Sequence, residues 1–288
     1  MTRYLRALAF AALACLPALA CQAGDGRLLA TGGAGQIEGA AGGGLVPWAV
    51  LAGYGTDDQQ GGAAFVTAVR TDDYGLDVIG AAWSWNNRIE LSIARQTFSL
   101  DTLRDTLSLP TARFRQDVLG AKLRLRGDLV YGRGPQISLG VQAKRQLDFH
   151  VPSLVGARDD DGIDVYLSAS RLMLAAAGGR NLLLNGTLRA TRANQTGLLG
   201  FGGDRRSDYS VVAEGSAAVL LDPRWAVGIE YRQKPDNLGF AREDDWRDVF
   251  VAWFPNKRVA VVGAWADLGD VATLQRQRGG YLSVQASF

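Results

Sequence analysis

Most of the chain after residue 62 alternates apolar residues with polar or small ones. The clearest alternation runs through residues 89–94, 119–125, 137–144 and 225–232. A period of two residues places successive side chains on opposite faces of a β-strand. Weaker stretches with the same period bring the number of predicted strands to twelve, and these stretches are 63–70, 76–85, 163–173, 181–192, 209–220, 246–254, 258–266 and 280–288.

The connections between these strands alternate in length when they are counted back from the C-terminus. Short turns alternate with long connections. Pro255–Lys257 and Asp222–Arg224 are examples of the short turns, and 234–245 and 194–208 are examples of the long connections. A soluble sandwich would also have half-buried strands, but short turns on one side and long loops on the other are typical of a bacterial outer-membrane barrel. The sequence therefore predicts an all-β protein, a transmembrane antiparallel up-and-down β-barrel of about 12 strands.

Residues 1–23 have the layout of a secretory signal peptide. Arg3 and Arg6 precede an apolar run from Ala7 to Leu19, and small residues follow. The run of apolar residues is short of the ~20 that a membrane-spanning helix needs. A lipoprotein signal ending before Cys21 is the alternative interpretation. Cleavage after Ala23 would remove both cysteines of the chain, Cys15 and Cys21, and would exclude disulfides.

Residues 24–62 form a distinct opening segment that is rich in glycine, a residue with 36 copies in the whole chain. Its backbone is expected to be irregular. The spacing in 33–39 does not match G-x-G-x-x-G, so no nucleotide site is predicted. Because twelve strands from 63 to 288 start and end on the same side, the segment lies in the periplasm or inside the lumen. A strand-like run, Leu45–Tyr54, leaves a lumen plug or a barrel of 14 strands open.

Charge and histidine content restrict the possible functions. The chain has 31 basic and 29 acidic residues, which provides no basic surface for nucleic acid, and no nucleic-acid partner is expected. A single histidine, His150, is too few for the common zinc sites, so neither a metal nor a cofactor is predicted.

In a barrel of this kind, aliphatic positions face lipid and the polar positions between them face the lumen. The strand pattern assigns nine polar residues to the lumen. These predicted lumen-lining residues are Glu90, Lys122, Arg124, Gln142, Lys144, Arg189, Glu214, Glu230 and Arg232.

The last nine residues, Gly280–Phe288, alternate and end on an aromatic residue. In this they resemble Gram-negative outer-membrane proteins, whose terminal strand is read by the barrel assembly machinery. The resemblance implies an assembly signal at Leu282, Val284, Ala286 and Phe288. It also implies insertion into the outer membrane, with its lipid and lipopolysaccharide as surroundings.

A second resemblance rests on the glycine-rich stretch from Gly32 to Val50, together with the strand layout. The chain is similar there to an uncharacterised family of proteobacterial outer-membrane β-barrel proteins with a glycine-rich N-terminal segment. The resemblance implies fold and location, and it supplies no catalytic or ligand-binding residues.

Two functional hypotheses follow from the predicted barrel, and the first is a channel for small solutes. Its near balance of lumen charges predicts low charge selectivity. The alternative is a structural or interaction barrel of the envelope without transport. An enzyme is not expected, although a lipid-modifying barrel enzyme could use His150 with Ser153, oriented by Asp148 or Asp159.

Overall fold

The computed structural model describes residues 26–100, 102, 113–240 and 242–288. The predicted signal peptide, residues 1–23, lies outside the described residues, as does most of the predicted connection 99–116.

The described residues form one closed antiparallel barrel, in which every strand pairs with its neighbours in sequence and the last strand pairs with the first. Two strands of two residues precede it, β1 (Ala34–Gly35) and β2 (Ala41–Gly42). The twelve barrel strands are β3 (Gln60–Thr71), β4 (Gly75–Trp85), β5 (Ile89–Ser99), β6 (Arg113–Arg126), β7 (Gln136–Gln146), β8 (Asp161–Ala177), β9 (Arg180–Thr191), β10 (Ser210–Leu220), β11 (Trp225–Arg232), β12 (Trp246–Asn256), β13 (Val259–Asp267) and β14 (Arg278–Ser287). The prediction of an antiparallel barrel of twelve strands is confirmed.

Residues 26–59 of the opening segment contribute no strand to the barrel wall. β1 and β2 pair only with each other, and Leu45–Tyr54 runs through the interior without joining the barrel sheet. The alternative of 14 barrel strands is therefore wrong, because that run has no wall strand as a partner. At its C-terminal end the segment merges into the wall, since β3 begins at Gln60 rather than at residue 63.

The two ends of the barrel differ in the length of their connections. One end, here called the short-turn end, holds residues 86–88, 127–135, 178–179, 221–224 and 257–258, together with the start of β3 and the end of β14. Among the described residues, the other end, the loop end, holds 72–74, 147–160, 192–209, 233–240, 242–245 and 268–277. The loop end also carries a short helix, α1 (His150–Leu154), and a single 3₁₀ turn at Asn194–Gly197.

Burial alternates along most of the length of the barrel strands. In β5 the inward residues Glu90, Ser92 and Ala94 are at most 9% exposed, whereas the intervening Ile93 is 55% exposed. The outward aliphatic side chains form an apolar band around the barrel, which includes Ile79, Ile93, Leu119, Leu188, Ile229, Val249 and Leu282. No helix among the described residues has the length and apolar character to cross a bilayer.

Candidate functional site: the barrel interior and its plug

The interior of the barrel is occupied by the opening segment. Residues 26–59, here called the plug, start and end at the short-turn end, and residues 31–55 are buried throughout. The backbone of Arg27 donates to Tyr54 O at 3.2 Å, so the two limbs of the plug meet where it leaves the barrel. The plug therefore enters the lumen, turns inside it and returns to β3.

Glycine lets the plug pass close to itself and to the wall. A Cβ on Gly42 would lie 2.3 Å from Val46 O, and one on Gly43 would lie 2.0 Å from the Glu230 carboxylate. Both distances are too short for any other residue without displacement of backbone or of a buried charged group. The glycine content that the sequence analysis noted thus serves close packing inside the barrel.

Glu90 on β5 and Lys122 on β6 hold the backbone of the plug on one side. The carboxylate of Glu90 accepts hydrogen bonds from Ala41 N at 3.1 Å and Ala52 N at 2.8 Å. The Lys122 ammonium donates to Ala41 O at 2.8 Å and Val50 O at 2.9 Å. Wall side chains thus satisfy backbone groups of the plug that have left water.

Glu230 on β11 holds the next part of the plug. Its carboxylate accepts from Leu45 N at 2.7 Å and from the Ser216 hydroxyl at 2.7 Å. The same serine oxygen accepts from the Trp48 indole N–H at 2.9 Å. One carboxylate and one hydroxyl therefore fix both the backbone and the largest side chain of the plug.

Neutral side chains of the wall bind the Pro47–Ala49 peptide groups. Thr187 donates to Pro47 O at 2.9 Å, and Ser138 donates to Ala49 O at 2.6 Å. Ala49 N in turn donates to the Ser170 hydroxyl at 2.8 Å. Because these residues come from β7, β8 and β9, the plug is attached to a broad sector of the wall.

Glu38, in the turn between β1 and β2, lies in a cluster of wall cations. It forms ion pairs with Lys144, with Arg232 at 2.8 Å and with Arg189 at 3.3 Å. Arg189 also pairs with Glu214 and with Asp164 on the wall. Burial by itself raises the pKa of Glu38, but the three cations lower that pKa well below its ordinary value, so the carboxylate is ionised.

The loop 192–209 covers the plug from the loop end, and its residues 193–203 are buried. Thr196 O accepts from the Lys144 ammonium at 3.3 Å, so that one lysine contacts the plug, the wall and this loop. Lys234, which follows β11, also binds this loop. Its ammonium donates to Gln195 Oε1 at 2.8 Å and lies 3.1 Å from the Glu243 carboxylate. The lumen is thus closed by the plug and by an inward-folded loop above it.

Eight of the nine residues predicted to line the lumen have side chains buried inside the barrel. Seven of them are the charged wall residues described above, namely the Glu90–Lys122 pair, Glu230, and the residues around Glu38, and Gln142 accepts a hydrogen bond from Arg189 at 2.7 Å. Arg124 is different, because it lies at the short-turn end, where it donates to Gly127 O at 3.0 Å and lies 3.4 Å from Asp128. Arg124 therefore belongs to a turn and not to the central clusters.

The four C-terminal residues assigned to an assembly signal lie on or near the outer face. Leu282 and Val284 are exposed and Ala286 is half-buried. The ring of Phe288 lies 5.2 Å from that of Trp83, and its backbone exchanges hydrogen bonds of 2.9 and 2.7 Å with Gly62. Phe288 thus occupies the seam where the last strand closes on the first.

Two residues of the central cluster were missed by the sequence analysis. Glu38 is an acidic residue within a run of glycine, alanine and aliphatic residues, which is itself a sign of a specific partner. Asp164 alternates with outward Ile163 and Val165 on β8, so the period of two would have identified it as inward. Nothing in the local sequence, however, indicates that both converge on Lys144.

The residues around His150 do not form the arrangement that a hydrolase needs. The Ser153 hydroxyl donates to the backbone oxygen of His150 at 2.8 Å. Asp148 pairs with Arg115 at 2.9 Å, and Asp159 pairs with Arg192. The hypothetical nucleophile and both candidate orienting carboxylates are therefore engaged with other partners.

Comparison with known proteins places this geometry in a family. A family model described as "Protein of unknown function (DUF3034)" matches residues 31–285, which include most of the plug and nearly all of the barrel. No curated protein sequence matches the chain.

Several solved structures have a similar fold. The KdgM porin is 11% identical with a TM-score of 0.50, over 78% of this chain and 99% of that chain. The outer membrane protein Omp33 of Acinetobacter baumannii is 9% identical, with a TM-score of 0.47, over 81% of this chain and 100% of its own. The COG4313 outer membrane channel of Pseudomonas putida F1 is 12% identical, with a TM-score of 0.45, over 80% and 95%. At these identities, the likeness to the KdgM porin shows the fold alone.

Proposed function

We propose that this chain, which belongs to the DUF3034 family of proteins of unknown function, is an outer-membrane channel for small solutes that is closed by its own plug. The observation that carries the proposal is the chemistry of the contact between plug and wall. Charged and hydroxyl side chains of the wall bind backbone groups of the plug, as Glu90 and Lys122 do at four peptide atoms. A wall of this kind can be solvated when the plug withdraws.

The outer surface supports a location in the outer membrane. A closed barrel pairs its backbone groups between strands, which hydrocarbon requires, and the exposed aliphatic band matches a lipid-facing surface. The KdgM porin, whose name states its class, has the same barrel architecture. We propose that the N-terminal residues 1–23 direct export. We further propose that the terminal strand with Leu282, Val284, Ala286 and Phe288 is recognised by the barrel assembly machinery.

The polar lining favours a channel over a barrel that is merely filled. Charged groups can be buried only with partners, and well-packed apolar residues often stabilise an interior as well or better. Here the inner wall retains many charged and hydroxyl groups at the depth of the apolar band. Withdrawal of the plug would replace its peptide groups with water at each of them, and a twelve-stranded barrel is wider than the eight-stranded ones that side chains fill.

The wall charges predict low selectivity between cations and anions. The acidic residues buried on the inner wall are Glu90, Asp164, Glu214, Glu230 and Asp248. The basic ones are Lys122, Lys144, Arg189 and Arg232. Five acidic and four basic groups leave no strong field of either sign once the plug and its Glu38 are displaced.

A second candidate function is a non-transporting barrel that contacts other envelope components, including lipopolysaccharide. The observation that favours it is the completeness of the closure, because residues 31–55 of the plug and 193–203 of the loop are all buried. A permanently closed lumen would leave only the outer and end surfaces for function.

Single-channel recordings in planar bilayers separate the two candidates. The mature chain would be compared with a variant that lacks residues 26–55, after heat-modifiability on a gel has shown that both are folded barrels. The proposal predicts that the deletion variant conducts steadily with a reversal potential close to zero in a salt gradient, whereas the full chain conducts rarely. A folded and inserted deletion variant that does not conduct would refute the channel and support the non-transporting barrel.

A further inference from the structure

Glu38 carries the only charge in residues 31–55 of the plug, and its carboxylate is completely buried among three wall cations. Its Oε1 accepts from the Lys144 ammonium and from Arg232 at 2.8 Å, and its Oε2 lies 3.3 Å from the Arg189 guanidinium. We propose that these three cations are the binding site of the open channel for solutes that carry a carboxylate. Glu38 occupies this site as an internal competitor while the plug is in place. The proposal rests on the proposed channel and names its class of solute.

The described wall residues around Glu38 hold one positive charge more than they pair among themselves. Arg189 pairs with Glu214 and lies 3.2 Å from Asp164, and Lys144 lies 2.6 Å from the same aspartate. Two wall carboxylates therefore face three wall cations, and Glu38 supplies the third negative charge. Because withdrawal of the plug removes that charge, the vacated site favours an anion from solution in its place.

The wall holds these cations in position without the plug. Glu214 pairs with Arg189 and also lies 3.7 Å from Arg232. Arg189 donates in addition to the amide oxygen of Gln142 at 2.7 Å. Since these partners belong to the wall, the donors keep their arrangement when Glu38 leaves. A site that is preorganised in this way loses less binding free energy to the ordering of side chains.

The donors of the site select a carboxylate over a neutral group of the same shape. Guanidinium N–H groups match the two oxygens of a planar carboxylate, and the ammonium adds a further charged donor. An amide presents only one acceptor oxygen, and its NH₂ group would face donors. One local site does not make the whole channel selective for anions, because the buried inner wall carries five acidic and four basic groups.

The site lies toward the loop end of the barrel. Lys144, Arg189 and Arg232 lie within two residues of the ends of β7, β9 and β11. Thr196 O of the loop 192–209 accepts from the Lys144 ammonium at 3.3 Å. A solute that enters from the loop end therefore meets the site directly after it passes this loop. A carboxylate that binds there competes with the plug and favours the open state.

Chemical rescue of the full mature chain with Glu38→Ala tests the site, with acetate as the probe. The substitution removes a methylene and the carboxylate, which correspond to the heavy atoms of acetate. We expect acetate to restore hydrogen-exchange protection of residues 31–55 at least tenfold and saturably, because it binds the folded plug and wall. Acetamide, its neutral counterpart, should have no effect. The native chain and Glu38→Gln should not respond to acetate, because their side chains already fill the site.

A matched pair of variants locates the binding of acetate. Arg232→Gln in the Glu38→Ala background removes one donor and should weaken acetate affinity at least tenfold. Arg124→Gln in the same background removes an arginine at the short-turn end and should leave the affinity unchanged. If Glu38→Ala refolds poorly, the yield of heat-modifiable barrel in acetate and in acetamide replaces hydrogen exchange. A higher yield in acetate supports the site, and equal yields overturn it.

Single-channel recording of the full mature chain with Glu38→Ala tests the same site in the open channel, with glutarate as the probe. Glutarate should block the open-channel current at a concentration at least tenfold lower than glutaramide, its neutral counterpart. Arg232→Gln should weaken this block at least tenfold, and Arg124→Gln should not. Both substitutions remove one positive charge, so they separate a local site from the general electrostatic potential of the lumen.

Three results would overturn the proposal. They are acetate that restores no more protection than acetamide, equal block by glutarate and glutaramide, and block that survives Arg232→Gln. Failure of the channel is seen separately. Saturable rescue by acetate in a barrel that never conducts would overturn the channel and its solute site together, and would confine the cations to holding the plug. Conduction without rescue would leave the channel standing and overturn the carboxylate site alone.

Discussion

Glu90 and Lys122 are directly opposed on β5 and β6, and Glu90 Oε1 lies 3.2 Å from Lys122 Nζ inside the barrel. Together they bind two backbone N–H groups and two carbonyl groups of the plug, and both side chains are only 1% exposed. The pair is therefore shared between wall and plug. An ion pair confined to the wall would deprive those four peptide groups of these hydrogen bonds.

Removal of the positive charge at this position is expected to loosen the plug. Lys122→Met leaves Glu90 as an unpaired buried charge, and breaking a buried pair in this way costs about 3–5 kcal/mol. We expect more frequent channel openings and a lower midpoint of thermal unfolding, measured by single-channel recording and calorimetry. Asp117→Asn is the control, because it breaks the exposed ion pair with Arg95 on the outer face. Equal effects of the two substitutions would contradict the claim that the Glu90–Lys122 pair holds the plug.

Neutralisation of Glu38 is expected to release the turn of the plug. Glu38→Gln removes the partner of Lys144, Arg189 and Arg232. Hydrogen exchange should then accelerate at least tenfold in residues 31–55. Asp57→Asn is the control in the same segment, because the side chain of Asp57 is 87% exposed and lies outside the cluster. Unchanged protection in Glu38→Gln would show that the charges do not hold the plug.

The ionisation of Glu38 also predicts how closure depends on pH. Its pKa lies well below the ordinary value of 4.5 because three cations face it. The stability that its charge contributes is complete above the ordinary pKa and is lost only as the pH falls through the depressed one. Titration of Glu38 should therefore leave hydrogen-exchange protection of the plug turn unchanged between pH 7 and pH 5. After correction for intrinsic exchange, a loss of protection in this range that disappears in Glu38→Gln would contradict the assignment.

The apolar band predicts strong depth dependence for charged substitutions on the outer face. Leu119 is 59% exposed near the middle of β6, whereas Leu123 lies closer to the short-turn end. Arginine costs about 2–4 kcal/mol at the membrane midplane and about 0–1 kcal/mol near the interfaces. Leu119→Arg should therefore reduce the free energy of unfolding in vesicles more than Leu123→Arg does. Equal, negligible losses would argue against a lipid-facing surface.

Phe288 is expected to matter more for assembly in cells than for the stability of the finished barrel. Phe288→Ala removes the ring that lies against Trp83 but leaves the backbone hydrogen bonds to Gly62. We expect a large loss of barrel from the outer-membrane fraction, and efficient refolding of the same variant in detergent. Phe288→Trp, which keeps an aromatic end, should assemble. Normal assembly of Phe288→Ala would exclude this residue as part of the signal.

The loop above the plug is expected to open independently of it. Glu243 accepts from Gln195 N at 3.0 Å and pairs with Lys234 at 3.1 Å. Glu243→Gln should speed hydrogen exchange in residues 193–203 and leave the plug protected, because Glu38 and Glu90 are untouched. Arg242→Gln is the control, since the side chain of Arg242 is 82% exposed. Joint loosening of loop and plug would show that they form one unit.

The barrel wall could be predicted from the sequence because each strand carries its own signal. Ile93 and Ala94 lie on opposite faces, as the period of two requires, and the same period assigned Glu90, Lys122 and Glu230 to the inside. Arg124 follows the same period, yet it lies beside a turn. Period alone assigns a face, and position along the strand decides which end a side chain reaches.

The path of the plug could not be predicted, because it depends on partners far away in the chain. Leu45 N binds Glu230, and Glu38 meets Lys144, and neither contact leaves a periodic pattern in the segment. The run Leu45–Tyr54 has the composition of a strand, but its Leu45, Ala49 and Ala52 N–H groups bond to wall side chains, and the run does not pair with a wall strand. Composition and spacing therefore indicated a plug or a strand without separating them.

A reversible cross-link between plug and wall tests the central claim most directly. A Cβ on Gly39 would lie 3.3 Å from that of Ala94, close to the ~3.8 Å typical of a disulfide. Both natural cysteines, Cys15 and Cys21, lie in the predicted signal peptide. Gly39→Cys is strained at φ 101°, so each single variant serves as a control.

The measurement is single-channel conductance of the Gly39→Cys/Ala94→Cys barrel in mild urea, before and after reduction. The account predicts silence in the oxidised form and at least tenfold more frequent openings after reduction, with no redox effect in either single variant. The same conductance in both redox states of a fully cross-linked barrel would contradict the claim that the plug closes the channel.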